Sequence, residues 1–232
     1  MMRHAIWLCL LALIVGAGLA YAADPGKDIL RRALDMAATI KDYSADVNVT
    51  VDMPNVKIPE RRAKVYFKRP DKVAIDSKGI VMIPKKALVP GNLGAQISKD
   101  AQVTLAGTKL QNGVTTYFLK VTPAASEHSN DRILFWVRGD RWTVERMEAQ
   151  SLGRQELAVT WEYQLVSGKH WMPRRLVATL PPGGRVSHHM PRPPEEKPSN
   201  KPGVITVSFT NVRVNTGLSD TLFVDHTQEK SK

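Results

Sequence analysis

One cysteine, Cys9, stands among the 232 residues, and it lies inside an apolar N-terminal run. That placement excludes disulfide scaffolds, thiolate metal sites and cysteine nucleophiles for the folded protein. Aromatic residues are scarce at 6%, and acidic residues are in deficit, with 22 Asp plus Glu against 33 Lys plus Arg. No hydrophobic run reaches membrane-spanning length: the apolar run Ala5 to Leu19 is 15 residues, short of the roughly 20 that span a bilayer. With 43% hydrophobic and 24% charged residues the composition is that of a globular protein. Collagen, coiled coil and polytopic membrane protein are excluded.

The start of the chain has a different purpose. Met1-Met2-Arg3-His4 is a short basic segment, Ala5 to Leu19 follows without charge, and Ala20-Tyr21-Ala22 puts small residues where a signal peptidase cuts. Residues 1–22 are therefore expected to be a cleaved signal peptide, and 23–232 an exported, soluble, periplasmic domain. Cys9 is removed with the signal, so no lipid anchor is expected. The remaining chain is strongly basic, and in that compartment anionic lipid head groups are the expected contact, with no nucleic acid partner.

Catalytic patterns are missing. There is no G-x-S-x-G elbow and no phosphate-cradling glycine run before a helix. His128, His170, His188, His189 and His226 have no partner at metal-binding spacing. Asp46, Asp76, Glu145, Glu148 and Glu162 fall on the wet positions of strands. The sequence therefore assigns no catalytic residue, no cofactor and no metal, and the protein is expected not to be an enzyme.

What is present is a helix followed by strands. Asp24-Pro25 is an N-cap with proline in the first turn, and Ile29, Ala33, Met36 and Ile40 recur at helical spacing, predicting a helix to about Lys41. From Tyr43 the period becomes two. Val47, Val49 and Val51, then Val159, Trp161 and Tyr163, then Ile205, Val207 and Phe209, alternate with polar residues. Further strands are expected near 61–69, 72–76, 79–83, 101–107, 114–122, 132–138, 141–150 and 171–180, joined by turns such as Arg69-Pro70-Asp71 and Gln111-Asn112-Gly113. The fold class is mainly β (α+β): about 10–11 strands in an antiparallel sheet, curled and joined by sequential hairpins. Pro181 to Gly203 holds seven prolines and reads as a Pro-rich loop insertion within that one domain.

One helix of about 17 residues is ~25 Å long and cannot cover a curled ten-stranded sheet. Part of the inner face is closed by side chains, as in small barrels, by Pro84 to Ser98, by the turn at Asp220 to Phe223, by the Pro-rich loop, or by a ligand.

The order of these segments resembles the LolA/LolB superfamily of periplasmic lipoprotein carriers. The resemblance is carried by Asp42-Tyr43-Ser44-Ala45 after the helix, Phe67-Lys68-Arg69-Pro70-Asp71-Lys72-Val73-Ala74-Ile75, Tyr117 to Pro123, Phe135-Trp136-Val137 through Arg146, Trp171-Met172-Pro173, and Phe209 through Asp220. It implies a half-open antiparallel barrel with small lid elements and an apolar cavity for acyl chains. The cavity set is Val47, Val49, Val51, Val65, Phe67, Val73, Ile75, Leu119, Val121, Trp136, Val159, Trp161, Val207 and Phe209. The implied cargo is an acylated lipoprotein or lipid, moved from an inner-membrane ABC-type release complex towards an outer-membrane acceptor. A lipid-sensing regulatory protein of the anti-sigma-factor-binding type, which uses the same fold, is one alternative, and a general lipid-binding protein is the other. The family's lid-locking arginine has Arg61 and Arg62 as its nearest candidates. Val81 to Ser98 contains Pro84, Pro90, Gly91 and Gly94 and is expected to form little helix. Lys27, Arg31, Arg32, Lys85, Lys86, Lys169, Arg174 and Arg175 are the charges expected to meet an anionic membrane surface transiently.

Overall fold

Asp24 accepts a hydrogen bond from the Gly26 amide at 3.0 Å, and Pro25 occupies the first helical position, so the helix has a defined start. In the computed structural model, which describes residues 24–54, 56–77, 85–92, 97, 100–124, 131–182 and 200–224, this helix, α1, spans Pro25–Ala38. It ends three residues before the expected Lys41. The Thr39 hydroxyl donates to the Met36 carbonyl at 2.7 Å, and Ile40, 2% exposed, turns into the core instead of continuing the helix.

Ten strands follow: β1 (Asp42–Met53), β2 (Val56–Lys68), β3 (Lys72–Ser77), β4 (Gln102–Gln111), β5 (Val114–Thr122), β6 (Arg132–Arg138), β7 (Thr143–Ser151), β8 (Arg154–Val166), β9 (His170–Leu180) and β10 (Gly203–Val214). They form one antiparallel sheet in the order β3-β2-β1-β10-β9-β8-β7-β6-β5-β4. The expectation of hairpins throughout fails at two places. β3 and β4 are sequence neighbours yet form the two opposite edges, and β10 returns to pair with β1. The sheet is therefore a half-open barrel, with short 3₁₀ turns at Lys85–Leu88 and Asp220–Phe223. The expected strand 79–83, the signal peptide 1–22 and residues 183–199 of the Pro-rich segment lie outside the described residues.

The core is in two parts. Ile29, Leu30 and Ala33 of α1 pack on Val103, Leu119, Val121, Phe135, Val137, Met147 and Val159 of β4 to β8. Ile40, Tyr43, Val47, Val65, Phe67, Leu88, Val207 and Phe209 form the second part, on β1, β2 and β10. The helix thus covers one half of the sheet, as its length requires. At its N-terminal end it sits very close: a Cβ on Gly26 would lie 2.9 Å from the Leu105 nitrogen and the Thr104 carbonyl carbon. Trp142, at φ +52° in the β6–β7 turn, stacks on Tyr117 with ring centroids 5.7 Å apart and takes the Arg32 guanidinium of α1 at 4.8 Å over its ring.

Candidate functional site: a half-buried apolar strip

Cross-strand partners in an antiparallel sheet share a face, so the register defines the surface that carries α1. One row runs Ile58, Val51, Ile205, Ala178, Val159, Met147, Phe135, Leu119, Leu105 across nine strands. Every member is apolar. A second row runs Arg61, Val49, Val207, Leu176, Trp161.

Coverage along these rows is unequal. Val159, Met147, Phe135 and Leu119 lie under α1 and are 7%, 6%, 1% and 1% exposed. Ile58, Val51, Ile205 and Ala178 at the other end of the first row are only half-buried, as are Leu176 and Trp161 in the second. Leu176 touches both halves of the core. Among the described residues these six side chains form an apolar strip between the helix-covered half and the β1–β2 half.

The fourteen residues of the expected cavity divide accordingly. Val51 and Trp161 belong to the strip. Val47, Val49, Val65, Phe67, Leu119, Val121, Val159, Val207 and Phe209 are buried, and Val73 and Ile75 pack half-buried against the second core part. Trp136 is a correction. β6 alternates, Phe135 and Val137 take the helix-bearing face, and Trp136 projects from the other, edge-to-face with Phe118 at 6.0 Å and under the Arg146 guanidinium at 5.5 Å. Its neighbours in sequence are apolar on both sides, so alternation was masked in that run. Ile205, Ala178 and Leu176 were missed because their stretches of sequence look like ordinary core; the register puts them on the helix-bearing face, where they are only half-buried.

The lid contacts also differ from expectation. Arg62 points away from the strip and pairs with Glu60 at 3.4 Å, both exposed at the surface. Arg61 takes the strip's face, opposite Val49. The residue that ties the helix down is Arg69 in the β2–β3 turn: its Nε donates to the Ile40 carbonyl at 2.7 Å and its Nη2 to the Ala37 carbonyl at 2.7 Å and the Pro90 carbonyl at 3.5 Å. Burial pulls its pKa below the ordinary arginine value without threatening the charge. Tyr43 fastens the 3₁₀ turn from beneath, donating to the Leu88 carbonyl at 2.7 Å, and burial raises its pKa. Gly26, Arg69 and Tyr43 together place α1 and residues 85–92 around the strip.

Of the expected membrane-facing charges, Arg31 and Arg32 are engaged by Asp28, with Asp35 also on Arg31, and Arg174 and Arg175 by Glu162. Those hydrogen bonds from Arg31 and Arg32 hold the Asp28 carboxyl below its ordinary range. Lys27, Lys85, Lys86 and Lys169 are exposed. Lys85 and Lys86 line a groove of about 480 Å³ together with Arg69, Asp71, Val73 and Val89. Among the described residues no group of three or more His, Cys, Asp or Glu side chains could hold a metal, and no helix is long and apolar enough to cross a membrane.

Solved structures share this architecture. A DUF1329 family protein from Desulfovibrio piger superposes with a TM-score of 0.56 at 16% identity, over 87% of this chain and 98% of its own. A LolA superfamily protein from Nitrosomonas europaea gives 0.51 at 12% identity, over 85% and 96%. An outer-membrane lipoprotein-sorting protein domain from Vibrio parahaemolyticus gives 0.56 at 11% identity, over 86% and 97%. No protein-family profile and no curated protein matches the sequence.

Proposed function

With the fold of the LolA superfamily as the premise, we propose that this chain is an exported, non-enzymatic carrier. It takes acyl chains of lipoproteins or lipids onto the strip of Val51, Ile205, Ala178, Leu176 and Trp161. The observation that carries the reading is the unequal cover of one continuous apolar row: part lies buried under α1, and the rest is only half-buried.

The energetics suit a carrier. Each CH₂ moved from water into apolar surroundings is worth about 0.8 kcal/mol, so a long acyl chain laid on the strip recovers enough to leave a bilayer without covalent chemistry. From β2 to β8 the strip crosses four inter-strand steps, ~19 Å at ~4.8 Å each. One leaflet of a bilayer has a hydrocarbon depth of about 15 Å, so a single chain fits across it. The carrier then receives cargo from an inner-membrane ABC-type release complex and yields it to an outer-membrane acceptor that covers the chain better.

The test is a photoactivatable acyl probe added to the purified protein, with the modified residues mapped by mass spectrometry. Labels on β1, β9 and β10 at Val51, Ala178, Leu176 or Ile205 support the strip. Labels confined to the opposite face, around Phe118 and Trp136, refute it.

A further inference from the structure

Arg61 is the one charged residue in the two rows that define the strip. β2 puts it opposite Val49, two residues before buried Ala63 on the same face, and leaves it half-buried. Among the described residues its guanidinium has no acid and no hydrogen-bond acceptor. Its neighbour Arg62, on the other face, has Glu60, and Arg69 has three carbonyls. A guanidinium presents five N–H donors in a rigid fork and keeps its charge. Its residue is half-buried on an otherwise apolar face with no protein acceptor for those donors among the described residues, and an oxyanion is the group that takes them in bidentate geometry.

We infer that Arg61 anchors the oxyanion head of an acylated ligand whose chain runs from β2 across β1, β10 and β9 to Trp161 on β8. This rests on the carrier reading and narrows it: the preferred cargo is a lipid with a carboxylate or phosphate head rather than a neutral acylated terminus. The row geometry supplies the alignment. Arg61 stands at one end of the second row, Trp161 at the other, and the intervening positions are Val49, Val207 and Leu176, so a head held at Arg61 directs its tail along apolar contacts only. Three inter-strand steps, ~14 Å, separate β2 from β9, close to the depth of a single leaflet.

The experiment compares three ligands of equal chain length, a fatty acid, a lysophosphatidic acid and an uncharged monoacylglycerol, on the full exported chain and on Arg61→Leu and Arg61→Lys. Wild type binds the two anionic ligands about tenfold or more tighter than the neutral one, the span expected of a charge-assisted hydrogen bond. Arg61→Leu removes that preference, so that all three ligands bind alike, and Arg61→Lys restores part of it. The tighter of the two anionic ligands identifies carboxylate or phosphate as the head. Neutral binding with no anionic preference in wild type, or a preference that survives Arg61→Leu, overturns the anchor while the carrier stands. Failure to bind all three ligands overturns both. Thermal unfolding of each variant separates loss of the anchor from loss of the fold.

Discussion

Arg69 donates from Nη2 to the carbonyl of Ala37 at 2.7 Å, joining the β2–β3 turn to the last turn of the only long helix among the described residues. The same guanidinium reaches Ile40 at 2.7 Å and Pro90 at 3.5 Å. Helix C-terminal carbonyls have no partner within the helix, so this arginine both satisfies them and sets the angle at which α1 lies across β4 to β7. Gly26 performs the corresponding task at the other end by allowing contact with the β4 backbone.

Replacing Arg69 by leucine removes its bonds to the Ile40 and Pro90 carbonyls and leaves Ala37 with the Ile40 amide at 3.2 Å, a loss of about 1–3 kcal/mol. Hydrogen exchange should show faster exchange in α1 and unchanged protection in β8 and β9. Arg69→Lys should recover only part, because an ammonium cannot span three acceptors as a planar fork does.

Gly26→Val forces a side chain against the Thr104 and Leu105 backbone, which cannot withdraw. The helix N-terminus should lift, with a loss of about 1–3 kcal/mol in denaturant unfolding. An unchanged midpoint would show that α1 is not seated on β4.

Two aspartate substitutions separate site from core. Ile205→Asp places a charge on a half-buried strip position, so the protein should fold and lose acyl-probe uptake. Val49→Asp buries a charge at a site 5% exposed and should unfold the domain, at about 4 kcal/mol or more. Circular dichroism and probe fluorescence on both variants check the contrast.

The C-terminal 3₁₀ turn is strapped to the sheet by Asp220, which contacts Lys68 at 2.9 Å and Lys72 at 3.1 Å. Those two ammonium groups hold its carboxyl below the ordinary aspartate range. A carboxylate with a lowered folded-state pKa stabilises above its unfolded value and loses that contribution as pH falls through the folded one. The strap should therefore hold at neutral pH and release only in acid below the ordinary aspartate range. A carboxyl titration by NMR should place the Asp220 midpoint there, and Asp220→Asn should release the turn at every pH.

Most of the architecture was legible because period two survives in β1, β8 and β10, where Val47, Val49 and Val51 or Val159 and Trp161 declare their face. The helix start at Asp24-Pro25 was equally plain. Its end was not, because Ile40 keeps the helical spacing while its side chain serves the second core part. The pairing of β1 with β10 and the separation of β3 from β4 are tertiary facts without a local signal. The strip was the least legible feature: Ile205 and Phe209 look alike in sequence, yet one is half-buried and the other 6% exposed, a difference decided by which elements reach across the sheet. Arg69 was hidden in a proline turn, where a turn residue is explanation enough.

The central claim is that the strip carries acyl chains, and native mass spectrometry of the protein recovered from the cells that produce it, followed by organic extraction, tests it most directly. The account predicts a bound acylated species that Ile205→Asp fails to retain. A wild-type protein that is empty and also rejects a fluorescent fatty acid would contradict it.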